Sequence, residues 1–338
     1  MRTIVCEQPK QFKMIELAKP TRRKAEALVR VRRIGICGTD IHAYYGNQPY
    51  FAYPRILGHE LSGVIEEVDA NPHGFQKGDQ VAVIPYMHCG TCIACRSGKT
   101  NCCTDLKVLG VHMDGGMCEW ISVPLDHLIQ TNALTLDESA ILEPLSIGAH
   151  AVRRSQLQKD EVVLVIGAGP IGLGVMAFAK QRGAKVLVMD INEERLAFCQ
   201  KWANVDGLVH AAGQPAVEIE KWTDGDMPTV VFDATGNARS MEAALQYVAH
   251  GGKLVFVGLV KDNVALSDPE LHKRELTLLG SRNATRADFD VVLQAVREGV
   301  IDAQLYVTHH VNFADFVDEF EGLTKPESHV IKAVVEIE

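Results

Sequence analysis

A group of residues suited to metal ligation lies between positions 37 and 60. Cys37 begins the run Cys-Gly-Thr-Asp-Ile-His, and His59 lies within Gly-His-Glu. Thiolate, imidazole and carboxylate are the ligand types that proteins use for zinc, and three protein ligands with one open position are typical of a catalytic site. We therefore predict that Cys37 and His59 bind a catalytic zinc. Taken one at a time, each has a simpler interpretation, as a buried cysteine or as a hydrogen-bonded core histidine.

Two glutamates compete for the place of the third ligand. The stretch from Ala140 to Arg154 has a helical pattern and contains Glu143 followed by Pro144. Proline inside a helix breaks it, so we expect Glu143 to project beside the break and to bind zinc. Glu60 is the alternative because it follows His59 directly. The two carboxylates can exchange, or one can reach zinc through water, and Glu143 can instead compensate the helix dipole.

The same segment contains candidates for proton transfer. An alcohol that is oxidised by hydride transfer must also lose its hydroxyl proton, and that proton needs a route to water. Thr39 and His42 provide a hydroxyl and an imidazole, both of which can donate and accept hydrogen bonds. We predict that they form a relay. Thr39 and Asp40 can alternatively cap the following turn, and Asp40 can accept a hydrogen bond from a ligand histidine and orient it.

Four further cysteines indicate a second metal site. They follow the spacing C-x2-C-x2-C-x7-C and are Cys89, Cys92, Cys95 and Cys103. Four thiolates at this spacing suit a closed tetrahedral zinc site with a structural role. The bacterial ferredoxin run has three residues before its last cysteine and a proline after it, so an iron–sulfur cluster fits less well. Cys102 is a neighbouring alternative to Cys103.

A glycine-rich turn in the middle of the chain predicts dinucleotide binding. The apolar run from Val162 to Ile166 leads into Gly167, Gly169, Pro170, Ile171 and Gly172, and a helical stretch follows. Strand, glycines and helix in this order place a pyrophosphate at the helix N-terminus. Asp190 ends the next strand. A carboxylate there accepts the adenosine ribose hydroxyls and repels a 2′-phosphate, which predicts NAD. Arg195 is a candidate for stacking on the adenine, although an exposed helix residue is the simpler interpretation.

Alternating strands and helices continue to about residue 297, which predicts an α/β fold with a doubly wound sheet. Ligands of such sheets bind beyond the carboxyl ends of the strands. The turns that begin at Asp233, Gly258 and Gly280 follow three of these strands and are the candidates to meet the nicotinamide half of the cofactor. The candidate contacts within them are Gly258, Leu259 and Ser281. A last strand from Val330 to Ile337 is expected to return to the first domain.

Composition limits the class of protein. The chain has 338 residues, enough for two domains, with 47% hydrophobic and 23% charged residues and a net charge of −9. A net negative charge argues against a nucleic-acid or anionic-membrane partner and fits an enzyme of small molecules. No segment has the pattern of a secretory signal or of a membrane span, so a cytoplasmic location is expected.

Together these motifs resemble the zinc-dependent medium-chain dehydrogenases over nearly the whole chain. The resemblance implies a GroES-like, β-rich catalytic domain at 1–147, completed by 285–338, and a Rossmann NAD-binding domain at 148–284, with the active site between them. It implies two zinc ions per chain, a relay that is completed by the cofactor ribose, and a homodimer or homotetramer. The residues implied for the catalytic zinc and its surroundings are Cys37, His59, Glu143, Glu60, Thr39 and His42.

The resemblance also narrows the substrate. Glu143 stands where simple alcohol dehydrogenases have a second cysteine, which points to polyols or sugar acids. The segments 42–55 and 280–285 are most similar to the bacterial sugar-acid branch, and L-galactonate, oxidised at C5 to D-tagaturonate, is the favoured substrate. Arg282 is the candidate clamp for the substrate carboxylate, and Tyr44, Asn47 and His112 are candidates for substrate hydroxyls. A sorbitol- or threonine-type dehydrogenase and an NAD-binding regulator without turnover are the alternatives.

Overall fold

The computed structural model describes all residues from 1 to 338. The chain comprises two compact units. One joins both ends of the chain, Met1–Glu143 and Val292–Glu338, and the other is Pro144–Val291. None of the helices combines the length and the apolar character that crossing a bilayer requires.

The first part of the chain is mostly strand, because apolar residues alternate along its segments with polar ones. Strand β3 is the longest at Glu26–Gly35, and its end delivers Cys37 to the start of helix α1. The elements of this part are β1 Arg2–Gln8, β2 Gln11–Glu16, β3 Glu26–Gly35, α1 Gly38–Tyr44, β4 Arg55–Ile56, β5 Glu60–Glu67, β6 Gln80–Val83, β7 Tyr86–Met87, α2 Ile93–Arg96, β8 Lys107–Val108, β9 Trp120–Pro124, β10 Leu128–Gln130 and α3 Leu136–Ala140.

The second unit alternates strands and helices, as predicted. Its six strands are all parallel, in the order β13-β12-β11-β14-β15-β16. The order reverses between β11 and β14, which is where doubly wound sheets bind ligands. The elements are α4 Leu142–Ser155, β11 Val162–Ile166, α5 Pro170–Gln181, β12 Lys185–Asp190, α6 Glu193–Ala203, β13 Gly207–His210, α7 Pro215–Trp222, β14 Val230–Asp233, α8 Ala238–Ala243, β15 Lys253–Phe256, α9 Asp268–Lys273, β16 Thr277–Gly280 and α10 Arg286–Arg297. The start of α4, including Glu143, and the end of α10, from Val292, belong to the first unit.

The end of the chain returns to the first unit, as the sequence predicted. Strand β18 pairs antiparallel with β3, and residues from both chain ends, such as Ile4 and Val335, share one hydrophobic core. The large sheet of this unit has the order β10-β6-β5-β3-β18-β17, with β9 also paired to β3. The remaining elements are α11 Ala303–Tyr306, β17 Val307–Asn312, α12 Phe316–Leu323 and β18 Lys332–Glu336.

The helix break predicted at Pro144 is wrong in its position. Helix α3 ends at Ala140, and α4 begins at Leu142, so Pro144 lies in the first turn of α4. A first-turn residue has no intrahelical acceptor for its N–H, and proline is therefore tolerated there. Glu143 consequently occupies the first turn of a continuous helix.

Candidate active site and dinucleotide-binding site

Asp40 holds together the two segments that carry Cys37 and His59. Its carboxylate accepts hydrogen bonds from the backbone N–H of Cys37 at 2.9 Å and of Gly58 at 3.3 Å. Asp40 is only 1% exposed. Because one buried carboxylate bridges the start of α1 and the residue before His59, it fixes the spacing of the two predicted zinc ligands.

His59 is buried, and its Nδ1 atom makes no hydrogen bond. Asp40 Oδ1 lies 3.7 Å from this nitrogen, which is too long for the hydrogen bond that the sequence predicted. Burial lowers the pKa of His59, but the charges of Asp40 and Cys37 outweigh burial and hold the pKa well above its usual value. The imidazole therefore lies in a negative environment that favours a cation.

Glu60 lies close to both of these residues but is bound by a lysine. Ligand atoms of Cys37, His59 and Glu60 all lie within 4.8 Å of one another. Both oxygens of Glu60 accept hydrogen bonds from Lys332 Nζ at 2.7 Å. Burial lowers the pKa of Lys332, but the Glu60 charge outweighs it and raises the pKa above the usual value. The two side chains therefore form a buried ion pair.

Glu143 is not part of that group of three, although its charge acts on His59. It is 3% exposed in the first turn of α4, and Oε1 accepts a hydrogen bond from the Tyr86 hydroxyl. Burial raises the pKa of Glu143 to about 7. Both glutamates thus lie in the same buried region as Cys37, so the structure leaves the choice of third ligand open.

The donor set fits a zinc ion. A thiol, an imidazole with a nitrogen that has no hydrogen-bond partner, and the Glu60 carboxylate converge within 4.8 Å, and the charge of the buried Glu143 acts on the same imidazole. Lys332 compensates the charge of Glu60, and a divalent cation would balance the negative charge that remains around His59. Soft sulfur together with nitrogen and oxygen donors suits zinc better than calcium or magnesium, which prefer oxygen alone.

The four spaced cysteines form a second cluster. Their sulfur atoms lie within 4.8 Å of one another, and none is in a disulfide; they are Cys89, Cys92, Cys95 and Cys103. The Cys95 N–H donates to Cys92 Sγ at 3.5 Å and lowers the pKa of Cys92 to about 5. Cys102 is exposed and outside the group, so the structure favours Cys103 as the fourth member. This arrangement has the ligand types of a closed zinc site.

Thr39 and His42 occupy one face of α1. Residues three apart on a helix are neighbours on its surface. Thr39 is half-buried and His42 is exposed, so the pair extends from the Cys37 end of the helix towards solvent. The capping function that the sequence offered as an alternative falls to Asp40, because its side chain binds the Cys37 N–H.

The predicted substrate residues differ in their surroundings. The prediction that Tyr44 contacts substrate is wrong. Tyr44 is buried against Phe12, and its hydroxyl donates to Glu321 Oε1 at 2.8 Å, so it belongs to the core. Asn47 is exposed. His112 is half-buried, its Nδ1 accepts from the Val108 N–H at 3.2 Å, and its ring lies 6.1 Å from that of Tyr50. Asn47 and His112 remain candidates for substrate contacts.

The glycine-rich turn of the second unit has the geometry of a phosphate-binding turn. Gly167 has φ of +101°, in the region that favours glycine. A Cβ at Gly172 would lie 1.9 Å from the Gly167 carbonyl oxygen, so only glycine allows this close approach of helix and turn. Gly169 caps α5, whose first residue is Pro170, followed by Ile171. Backbone N–H groups at such a helix start bind phosphate.

Asp190 supports the same turn. Its Oδ2 accepts from the Ala168 N–H at 2.6 Å, and its Oδ1 accepts from the Asn192 N–H at 2.9 Å. Arg195 is exposed on α6, and its Nη1 atom lies 4.0 Å from the position of a Cβ on Gly169. The carboxylate and the guanidinium therefore both lie beside the glycine turn.

The remaining predicted cofactor residues follow two neighbouring strands. Gly258 and Leu259 come after β15, and Ser281 and Arg282 come after β16. Leu259 is 60% exposed and Arg282 is exposed, while the Ser281 hydroxyl is buried. Since carboxyl ends of parallel strands share one edge of a sheet, these residues lie on the same edge as the glycine turn.

Several residues that organise these sites carry no signal in the sequence. Asp288 is buried and accepts hydrogen bonds from Arg153 Nε at 2.7 Å and from the Thr285 N–H at 2.8 Å, and His150 Nδ1 lies 2.9 Å from its carboxylate. This network ties α4 to the loop that carries Arg282. The same is true of Tyr86 and Lys332. No local pattern marks them, because their partners lie 57 and 272 residues away.

These features agree with comparisons to known proteins. Residues 23–133 match the family described as alcohol dehydrogenase GroES-like domain, and residues 170–298 match the family described as zinc-binding dehydrogenase. The chain belongs to this family of zinc-type, GroES-like alcohol dehydrogenases, and it is an oxidoreductase of the zinc-binding dehydrogenase class. The predicted fold class is confirmed.

Individual relatives cover nearly the whole chain. The L-galactonate-5-dehydrogenase of Escherichia coli K12 is 42% identical over 335 residues, which are 99% of this chain and 98% of that protein. The sorbitol dehydrogenase of Bacillus subtilis is 31% identical over 99% of this chain and 97% of its own. The crystal structure of an alcohol dehydrogenase from Escherichia coli CFT073 with NADH has a TM-score of 0.93 at 31% identity and covers 100% and 99% of the two chains.

Proposed function

We propose that this protein oxidises a secondary alcohol of a sugar acid with NAD as the hydride acceptor. The carbinol carbon gives a hydride to the nicotinamide C4 and the hydroxyl gives a proton to solvent, so the products are a ketone, NADH and a proton. The observation that carries the proposal is the convergence of Cys37, His59 and Glu60, with the charge of buried Glu143 acting on His59, in a chain that is 42% identical to an L-galactonate-5-dehydrogenase.

The first unit acts as the catalytic domain in this proposal, and the second as the NAD-binding domain. We infer that Cys37 and His59 hold the catalytic zinc, together with Glu143 or Glu60. Zinc in that place supplies a Lewis acid that lowers the pKa of an alcohol. Asp40 maintains the spacing of the ligands through its bonds to the Cys37 and Gly58 N–H groups. The four-cysteine cluster holds a second, structural zinc.

The chain's own part in the chemistry is to move the proton and to orient the cofactor. Thr39 accepts the proton of the alcohol, and His42 passes it to water from the exposed part of α1. The Gly167–Gly172 turn binds the pyrophosphate. Asp190 accepts hydrogen bonds from the adenosine ribose, which favours NAD over NADP. Gly258, Leu259 and Ser281 lie on the sheet edge that faces the nicotinamide half in doubly wound folds.

L-galactonate, oxidised at C5 to D-tagaturonate, is the specific substrate that we propose. The support is the 42% identity to an L-galactonate-5-dehydrogenase and the exposed Arg282, since a guanidinium binds a carboxylate with two parallel hydrogen bonds. The 31% identity to a sorbitol dehydrogenase supports a neutral polyol as the second candidate. A homodimer or homotetramer and a cytoplasmic location remain predictions.

The test is NAD reduction by the purified protein, followed by NADH absorbance, with L-galactonate, other sugar acids, neutral polyols and threonine. We expect turnover of a sugar acid. In Arg282→Ala we expect kcat/KM for that acid to fall roughly 10- to 100-fold, as for loss of a charge-assisted hydrogen bond. The matched control is Arg286→Ala, an exposed arginine four residues along the chain that is paired with Asp290.

Two results would contradict the proposal. Turnover of neutral polyols alone, unaffected by Arg282→Ala, would retain the zinc dehydrogenase and exclude the sugar-acid substrate. NAD binding with one zinc per chain and no turnover of any substrate would favour a regulator over an enzyme.

A further inference from the structure

Lys332 is one of the most deeply buried charged residues in the protein. It is 2% exposed, and Glu60 is 0% exposed. Nζ donates to both Glu60 oxygens at 2.7 Å and to the Ile36 carbonyl at 2.9 Å. All three N–H donors of the ammonium group are therefore used. One of the acceptors, Ile36, is the residue that precedes Cys37.

Gly35, on the neighbouring strand, also restricts the position of Glu60. Gly35 faces Glu60 across the pairing of β3 with β5. A Cβ at Gly35 would lie 2.0 Å from Glu60 Oε2 and 2.8 Å from Glu60 Cβ, so any larger residue would displace the carboxylate. The glycine provides the space and the lysine provides the charge that keep Glu60 in this position.

The arrangement has a consequence for the metal charge. Zinc with one thiolate and one carboxylate is neutral, and a second carboxylate would make the centre negative and weaken it as a Lewis acid. Glu60 lies close enough to Cys37 and His59 to be that second carboxylate. Pairing with Lys332 cancels its charge and occupies both of its oxygens.

We propose that Lys332 is a positioning residue that keeps Glu60 out of the zinc ligand set and leaves the third position to Glu143. The proposal rests on the proposed function, because it requires zinc at Cys37 and His59. Its specific content is that a lysine from the last strand of the chain decides which of two glutamates binds the metal.

The experiment measures zinc release to a chromogenic chelator. A phase of zinc release that the wild type shows and a Cys37→Ser variant lacks is assigned to the site at Cys37. If the two proteins release zinc identically, the catalytic metal site itself is rejected, which is a failure of the proposed function and not of the function of Lys332. In Lys332→Met, we expect the unpaired Glu60 to join the metal as an additional ligand, so that release slows by roughly tenfold or more, the factor that about 1.4 kcal/mol of added binding produces. We also expect Lys332→Met to lower kcat by a larger factor than it changes KM for NAD.

Rescue separates positioning from a structural contribution. Lys332→Met combined with Glu60→Gln removes both charges, and its release rate is expected to return close to that of the wild type. Lys180→Met is the control for the loss of a lysine–carboxylate pair, since Lys180 binds Asp206 at 2.9 Å in the other unit, and its release rate should not change. An unchanged or faster rate in Lys332→Met, or no rescue in the double variant, overturns the proposal.

A structure of the zinc-loaded wild type tests the same idea without a variant that has to fold. The expected result is that both Glu60 oxygens remain on Lys332 and that Glu143 binds the metal. A Glu60 oxygen at about 2.0–2.2 Å from zinc, the usual bond length, would refute the assignment.

Discussion

The choice between NAD and NADP is expected to depend on Asp190. Its carboxylate lies beside the glycine turn, where it binds the Ala168 N–H at 2.6 Å. Two unit charges 4 Å apart interact by about 4 kcal/mol at an effective dielectric constant of about 20. Asp190 is half-buried, and solvent screening reduces the repulsion of a 2′-phosphate to about 2–3 kcal/mol, which corresponds to a preference for NAD of about 30- to 150-fold.

The perturbation is Asp190→Asn, which keeps the size of the side chain and one acceptor oxygen. We expect kcat/KM for NAD to decrease, because the ribose loses a charged acceptor, and the preference over NADP to fall below about tenfold, because the repulsion is removed. The assay compares kcat/KM for the two cofactors at a fixed, saturating alcohol concentration.

The control is Asp206→Asn in the same unit. Asp206 also accepts a backbone N–H, that of Val186 at 2.6 Å, but it lies just before the start of β13, at the opposite end of the β12–β13 pair from Asp190. This variant should keep the cofactor preference of the wild type. A wild type that uses both cofactors equally, or an Asp190→Asn variant with an unchanged preference, would refute the electrostatic reasoning.

Two further predictions concern the second zinc and the pH dependence of stability. Cys103→Ser should lose about one zinc per chain and lower the midpoint of thermal unfolding by about 5 °C or more, whereas Cys102→Ser should do neither. Metal analysis and thermal unfolding measure the two effects. Equal zinc loss in both variants would reject Cys103 as the fourth ligand. Burial raises the pKa of Asp288, but hydrogen bonds from Arg153 and His150 outweigh it and hold the pKa well below its usual range. A lowered pKa stabilises the fold above the unfolded value of about 3.9, and this stability is lost as the pH falls towards the folded value. Asp288→Asn should therefore cost about 2–4 kcal/mol at pH 7 and less at pH 3, measured by urea unfolding, and a cost that does not vary with pH would contradict the ion-pair explanation.

Short-range patterns in the sequence predicted much of this protein. The glycine turn, the run of apolar residues before it and the acid after the next strand are all within about 30 residues, and each appears in the structure where it was expected. The same holds for the four-cysteine spacing, whose sulfur atoms converge within 4.8 Å. Such features are readable because residue type and spacing alone set the local backbone geometry and the reach of the ligands.

Some local expectations failed because packing overrode them. Tyr44 follows His42 by two residues and was expected to contact substrate, but it points into the core and bonds Glu321, which is 277 residues away. Pro144 was expected to break a helix, yet the helix starts just before it. In both cases the residue type alone does not decide the outcome. The direction of the side chain and the residue at which the helix starts depend on neighbours that are distant in the chain.

The sequence by itself determined the class of chemistry, since thiol, imidazole, carboxylate and glycine occur at spacings that suit zinc and a dinucleotide. Only the tertiary structure decided how the charges are balanced. Lys332 reaches Glu60 across 272 residues because β18 pairs with β3. Arg153 reaches Asp288 across 135 residues because the fold brings α4 beside the first turn of α10. Buried charges require partners, and folding alone determines which distant residue becomes that partner.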